Sequence, residues 1–239
     1  MSPLAEVVDR KLRERGTRER AQKEKSYLKS EIDHYGASVP DTRSVVRAAL
    51  RGADLRHDEA IDLARQLWTE PSDNPVHERR LAATMMLIHM QDHLGASDTQ
   101  VIEGFLREAR TWALVDPLAG DLVGPLSERD PGFDPVLERW AVDDDFWIRR
   151  SALLAHLRPL RTGRGDFDRF TRFADEMLRE KEFFIRKAIG WVLRDTAKKR
   201  PDLVFDWILP RAHRASGVTI REAVKPLSQE QRDAVLAAR

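Results

Sequence analysis

Apolar residues recur along this chain at i, i+3, i+4 and i+7, the spacing that lines one face of an α-helix. The pattern runs through VVRAALRG (45–52), EAIDLARQLW (59–68), RRLAATMMLIHM (79–90) and TQVIEGFLREARTWALV (99–115). It returns in WIRRSALLAHL (147–157), FFIRKAIGWVLRDTAKK (183–199) and REAVKPL (221–227). Proline and glycine fall singly between these stretches, each roughly 12–18 residues long, rather than clustering into a linker. Pro40, Pro75, Pro135 and Pro201 stand where helices should begin, because a first helical turn tolerates a residue without an N–H. No stretch alternates with the two-residue period of a strand, so the pattern predicts an all-α chain.

A repeat lies within the helical pattern. IRRSALLAHL (148–157) superposes on IRKAIGWVLR (185–194) after 37 residues, and IREAVKPL (220–227) follows 35 further on. ERRLAATMML (78–87) precedes the first of these by 70, two such periods. A single helix pair of this kind cannot bury its apolar face, and stacking the pairs forms a continuous core. The expected architecture is a HEAT-like repeat solenoid, a curved α-superhelix of stacked antiparallel helix pairs, forming a single domain over residues 1–239.

Composition narrows the class. The 239 residues are 41% hydrophobic and 34% charged, which suits one large domain or one repeat array. Cysteine is absent, which excludes disulfides, Cys-based zinc sites, iron–sulfur ligation and thiol nucleophiles. No run of ~18 apolar residues exists to span a bilayer. The segment MSPLAEVVDRKLRERG is charged and amphipathic, without the apolar centre of a secretory signal, so a cytoplasmic protein is expected. The 41 Lys+Arg against 40 Asp+Glu balance almost to zero, yet only nine of the cations are lysine. Arginine's planar fork of donors suits phosphate and carboxylate. Genomic composition bias produces the same excess, so composition alone leaves the partner open.

Three places carry candidate chemistry. In the stretch 183–199, Lys187, Trp191, Arg194 and Lys198 follow i, i+4, i+7, i+11 and share one helix face, beside the apolar face of Phe184, Ile185, Ala188, Ile189 and Val192. Cations around an indole suit phosphates and a base or sugar, although lysine and arginine stems also snorkel around a rim tryptophan. One repeat earlier, Trp147, Arg149 and Arg150 follow the acidic run 143–145, which reads as a helix cap. Arg149 and Arg150 point about 100° apart, and Arg150 aligns with Lys187 in the repeat. In ARTWALVDPL, Trp112 and Asp116 are four apart; they either share a helix face, an aromatic wall with a carboxylate one turn below it, or Asp116 and Pro117 form an N-cap pair. Of the seven histidines, only His89 and His93 have metal-binding spacing, and neither HExxH nor a third ligand accompanies them. Phosphate-cradling glycine loops and the G-x-S-x-G elbow are absent from the sequence.

These residues resemble a family. KEFFIRKAIGWVLRDTAKKRPDLV (181–204), TWALVD (111–116), FWIRRSALL (146–154) and KSYLKSEIDHYGASVPDTR (25–43) are similar, in order and spacing, to segments of the AlkD-type bacterial DNA alkylation repair glycosylases. That resemblance implies a monofunctional DNA glycosylase that excises N3- or N7-alkylated purines from duplex DNA without strand cleavage. It places the reactive carboxylate at Asp116, the indoles cradling the damaged nucleotide at Trp112 and Trp191, and a backbone-gripping arginine at Arg150. Tyr27 is similar to an aromatic that lines the same cleft in that family, and Lys187, Arg194 and Lys198 are expected DNA contacts. The resemblance also implies no cofactor, no metal, double-stranded alkylated DNA as partner and a monomer. The family often has Trp-Trp-Asp where Thr111, Trp112 and Ala113 stand here. Two other functions fit the residues alone: a non-catalytic HEAT-like protein that binds DNA structures through the same basic stripe, and a protein-interaction scaffold.

Overall fold

The computed structural model describes residues 1–72 and 74–239, and among them the chain is all-α; the one extended pairing is a bridge between Asp33 and Val76. It divides into two compact units, Met1–Leu118 and Ala119–Arg239. The first contains α1 (Pro3–Arg15), α2 (Arg18–Leu28), α3 (Val39–Leu50), α4 (His57–Thr69), α5 (His77–His89), α6 (Thr99–Ala109) and α7 (Trp112–Asp116). A π-helical segment, Pro117–Val123, follows. The second contains α8 (Gly124–Arg129), α9 (Asp134–Ala141), α10 (Phe146–Leu154), α11 (Leu157–Arg161), α12 (Phe167–Met177), α13 (Phe183–Ala197), α14 (Pro201–Ile208), α15 (Gly217–Ala223) and α16 (Gln229–Ala237). Several helices are shorter than their apolar period suggests, because turns interrupt a pattern that continues beyond them.

Most starts follow the sequence signals. Ser2 accepts the Ala5 N–H at 3.3 Å ahead of α1, Ser38 accepts that of Asp41 at 3.1 Å ahead of α3, and Pro40, Pro135 and Pro201 lie in first turns. Pro75 does not: α5 starts two residues later, at His77. The Pro75 carbonyl, outside the helix, accepts the Asp33 N–H at 3.1 Å, and Asp33 in turn accepts from His77 N at 2.8 Å.

In the first unit α1 packs on α3, α4 and α5 through Ala5, Val8 and Leu12, all nearly or wholly buried. Trp68 is fully buried, stacked on Phe105 at 4.3 Å, with its indole N–H donating to Glu108 at 2.8 Å. A polar cluster lies within this core. Arg79, 1% exposed, donates to Asp9 at 2.7 Å and to the Gln66 carbonyl at 2.9 Å, and the Tyr35 hydroxyl donates to Asp9 at 2.6 Å. Burial would raise the pKa of Asp9, but the bonds from Tyr35, Arg79 and Arg13 hold it below its ordinary value.

The repeat is written in polar ties as well as apolar faces. In the second unit Arg161–Asp195, Arg164–Glu128, Arg169–Asp134, Arg172–Glu138, Lys187–Glu222 and Arg211–Asp175 each join residues 34–36 apart. In the first unit Trp68–Glu108, His57–Asp98 and the Gly36 and Tyr35 bonds to Glu78 span 40–43. Each tie fastens one helix pair to the next, the register of a HEAT-like stack.

Burial separates the energies of these ties. Asp9→Ala should destabilise the protein by about 3–5 kcal/mol, since it strands the buried Arg79 guanidinium. Glu138→Ala, which breaks an exposed pair, should cost under about 1 kcal/mol. Denaturant unfolding of both variants measures the contrast; equal losses would mean the Asp9 cluster contributes no more than a surface pair.

Candidate functional site

Thr111 opens α7 by accepting the Ala113 N–H at 3.4 Å, and it is nearly buried. That capping duty accounts for a short hydroxyl where the resemblance leads one to expect an indole. Leu114 and Val115 are wholly buried and pin the helix into the first unit's core. Trp112 and Asp116, one turn apart, both lie half-buried. Asp116 is therefore not an N-cap. It is the last residue of α7, and Pro117 continues the helical backbone at φ −68° and ψ −35° into the π-helical segment. Proline cannot donate to the helical ladder, and π turns are found where that ladder is broken.

Tyr27, the penultimate residue of α2, is 72% exposed and meets Trp112 edge-on, with centroids 6.1 Å apart and planes at 89°. The two aromatics expected in one cleft are thus in contact, a geometry favoured by the ring quadrupoles. Both carriers adjoin left-handed, non-glycine backbone. Lys29 at φ 50° ends α2, and Arg110 at φ 47° ends α6 two residues before Trp112. Such conformations are uncommon away from glycine and cluster at functional sites.

In the second unit α13 carries the basic stripe. Ile185, Ala188, Ile189 and Val192 are fully buried, as their spacing predicts, while Trp191 is half-buried. The cations beside it are clasped by acids. Lys187 donates to Glu222 at 2.7 Å, Arg194 pairs with the other Glu222 oxygen, and Lys225 reaches the same carboxylate at 3.0 Å. Lys198 and Arg161 converge on Asp195 at 2.7 and 2.6 Å. The Glu222 side chain is only 8% exposed. Burial would raise its pKa, but Lys187 and Lys225 bonds and the Lys187 and Arg194 charges hold it at about 2. Gly190 permits this arrangement: a Cβ there would lie 2.8 Å from that of Glu222 and 3.1 Å from the Thr219 backbone. Within these two clusters five cations meet two carboxylates, a local excess of positive charge.

Arg149 and Arg150 point apart as expected, but Arg150, expected on the Trp191 face as a grip on the DNA backbone, turns inward instead, because its guanidinium is taken up by the packing of α10 on α13. Arg149 forms a two-pronged pair with Glu180 at 3.0 and 2.9 Å. Arg150 is 2% exposed, donates to the Phe184 carbonyl and lies 5.7 Å from the centre of its ring, tying α10 to α13. Trp147 is buried against Phe146 and Phe184 and belongs to the core. Asp145 caps α10 by accepting from Trp147 N at 2.8 Å. Glu222 and Asp195 escaped the sequence reading; their signal was the repeat itself, since Glu222 lies 35 residues after Lys187 and Asp195 lies 34 after Arg161.

A family model described as DNA alkylation repair enzyme matches residues 8–227. The chain belongs to that family. Among solved structures it is similar to a predicted DNA alkylation repair enzyme from Enterococcus faecalis, at 20% identity and a TM-score of 0.78, over 90% of this chain and 98% of that one. It is also similar to AlkD2 from Streptococcus mutans, at 18% identity and a TM-score of 0.58, over 87% and 99% of the two chains. At these identities the likeness shows the all-α, HEAT-like fold alone. None of the curated proteins matches the sequence. Membership of the alkylation repair family makes DNA the substrate. Among the described residues no helix is long and apolar enough to cross a membrane.

The Glu222 clasp has a pH signature. A carboxylate whose folded pKa is about 2, against an ordinary 4.5, contributes stability that is complete above about pH 4.5 and lost as pH falls toward 2. Thermal melts of Glu222→Gln should show a flatter acid limb than the wild type. Parallel profiles would mean that the clasp does not form.

Proposed function

We propose that this repair-family protein is a DNA glycosylase that hydrolyses the N-glycosidic bond of N3- or N7-alkylated purines in duplex DNA, leaving the strand intact. The observation that carries this reading is the Trp112–Asp116 pair on one anchored helical turn, with Tyr27 against the indole. Alkylation at N3 or N7 gives the purine a positive charge and makes it a good leaving group. The remaining demand is to stabilise the deoxyribose as positive charge grows on it while the C1′–N bond lengthens. An ionised Asp116 supplies the complementary charge and orients the attacking water; a group of this type contributes about 3–4 kcal/mol of barrier lowering. The face of Trp112 adds cation–π attraction of about 1–2 kcal/mol. The helix WALVD contains no lysine to form a Schiff base, which favours hydrolysis without strand cleavage.

The second unit supplies the grip on the duplex in this reading. Lys187, Arg194 and Lys198, held by Glu222 and Asp195, meet phosphates, Trp191 packs on a sugar, and Arg150 secures the first turn of α13 beneath them. Affinity from such contacts falls with salt as counterions are released. The glycosylase needs no metal for this chemistry and works as a monomer.

The test is release of free base from duplex DNA containing N7-methylguanine. Asp116→Asn should slow release by about 100- to 1000-fold while leaving the salt-dependent affinity for DNA unchanged. Trp112→Ala should slow it roughly tenfold. The pair Lys187→Gln and Arg194→Gln should lower the salt slope of binding by about 1 per residue. Salt-sensitive binding without base release, indifferent to Asp116, would replace this reading with a non-catalytic DNA-structure-binding protein. No dependence of DNA affinity on the cations would leave a protein-interaction scaffold.

A further inference from the structure

The helix that carries Tyr27 is poorly anchored. No residue of α2 is buried, and its sequence RERAQKEKSYL offers no apolar stripe to a core. Polar links hold it instead, and one group of them is incomplete. The extended segment 33–36 runs beside the start of α5, pinned by the Asp33–Pro75 and Asp33–His77 backbone bonds. Glu78, fully buried, accepts the Tyr35 and Gly36 N–H groups at 2.9 and 2.6 Å. Gly36 sits at φ +81°, and a Cβ there would lie 2.2 Å from the Thr17 carbonyl, so the approach to the α1–α2 turn is tight. This lattice stacks His34 on His77, with rings 4.6 Å apart and 8° from parallel.

Three buried nitrogens in that stack have no hydrogen-bond partner: both ring nitrogens of His34 and Nδ1 of His77. Buried polar atoms are ordinarily satisfied, and each orphan costs about 1–3 kcal/mol. No salt bridge among the described residues reaches Glu78, so a buried carboxylate lacks a counter-charge. Glu24 of α2 completes the picture, since one ligand atom each from Glu24, His34 and Glu78 lies within 4.8 Å of the others. The imidazole lies beside two carboxylates and makes no hydrogen bond to either, while Glu24 pairs at its rim with Arg20 at 2.7 Å.

We propose that Glu24, His34 and Glu78 bind one divalent d-block cation, which fastens α2 to α5. The donor chemistry selects this class. An imidazole nitrogen with carboxylate oxygens suits zinc, manganese or iron(II), whereas calcium and magnesium favour all-oxygen shells. Two carboxylates and a neutral imidazole balance a doubly positive ion. Tetrahedral ligands at about 2.1 Å lie about 3.4 Å from one another, so ligand atoms that now lie within 4.8 Å must draw together to close the site, with Glu24 exchanging its pair with Arg20 for the ion. Three protein ligands leave a fourth position open to water. Tyr27 is one turn beyond Glu24 on the same helix, so the ion would hold that ring steady against Trp112. The sequence offered only His89 and His93 as a spaced pair; both are exposed, and neither is grouped with other ligands among the described residues.

The test uses zinc alone and is independent of base release. Equilibrium dialysis of the intact protein with metal analysis should give one zinc per chain, and cobalt(II) in its place should give visible bands of nitrogen and oxygen ligation. His34→Gln and Glu24→Gln should each weaken binding at least tenfold, whereas His89→Gln should not. Amide exchange across residues 18–28 should slow on adding zinc to the wild type and not to Glu24→Gln, a substitution on an exposed helix that leaves folding undisturbed. Absence of stoichiometric binding, or binding equally tight in both ligand variants, would overturn the proposal.

Discussion

A carboxylate removed from water must find donors, and in a stack of helix pairs those donors come from the next pair. Asp9 draws Arg79 and Tyr35, Glu78 draws two backbone N–H groups, Asp195 draws Arg161, and Glu222 draws Lys187 and Arg194. Apolar burial alone is non-directional and would tolerate a helix sliding along its neighbour. A buried acid is directional: a shifted register would leave it unpaired, at a cost of several kcal/mol. These acids therefore fix which residue of one pair faces which residue of the next.

The same constraint shapes the charged surface of the second unit. Lys187 and Arg194 flank Trp191 on one helix, where mutual repulsion would splay them. Glu222, brought close by the glycine at 190, holds both in fixed orientation. In the proposed grip on duplex DNA, an array fixed in this way would lose less side-chain freedom on meeting a row of phosphates than free lysines would. The first unit works differently. Trp112 and Asp116 are placed by a short helix that two wholly buried neighbours, Leu114 and Val115, press into the core.

Local patterns in the sequence were legible because one backbone geometry governs them. The apolar face of α13, the shared turn of Trp112 and Asp116, the Asp145 cap and the divergence of Arg149 from Arg150 all follow from helical periodicity over a few residues. From the residues alone, an N-cap at Asp116 was the reading that information favoured. The structure decided against it, because the backbone continues through Pro117 into a π turn, where a proline ordinarily signals a boundary. Pro75 failed in the opposite sense, staying outside α5 because its carbonyl is taken by Asp33.

By itself, then, the sequence determined the all-α class, the repeat near 35 residues and the faces on which candidate side chains lie. Each of these is set within one helix or by direct repetition of one. Only the tertiary structure decided which acid receives Lys187 and Arg194, that Arg150 and Trp147 face inward, that Tyr27 meets Trp112, and that His34 stacks on His77 beside two glutamates. Nearly all of those pairings join residues from about 30 to more than 80 positions apart, and they depend on how neighbouring helices settle against one another. A side-chain period within one element carries no information about that choice.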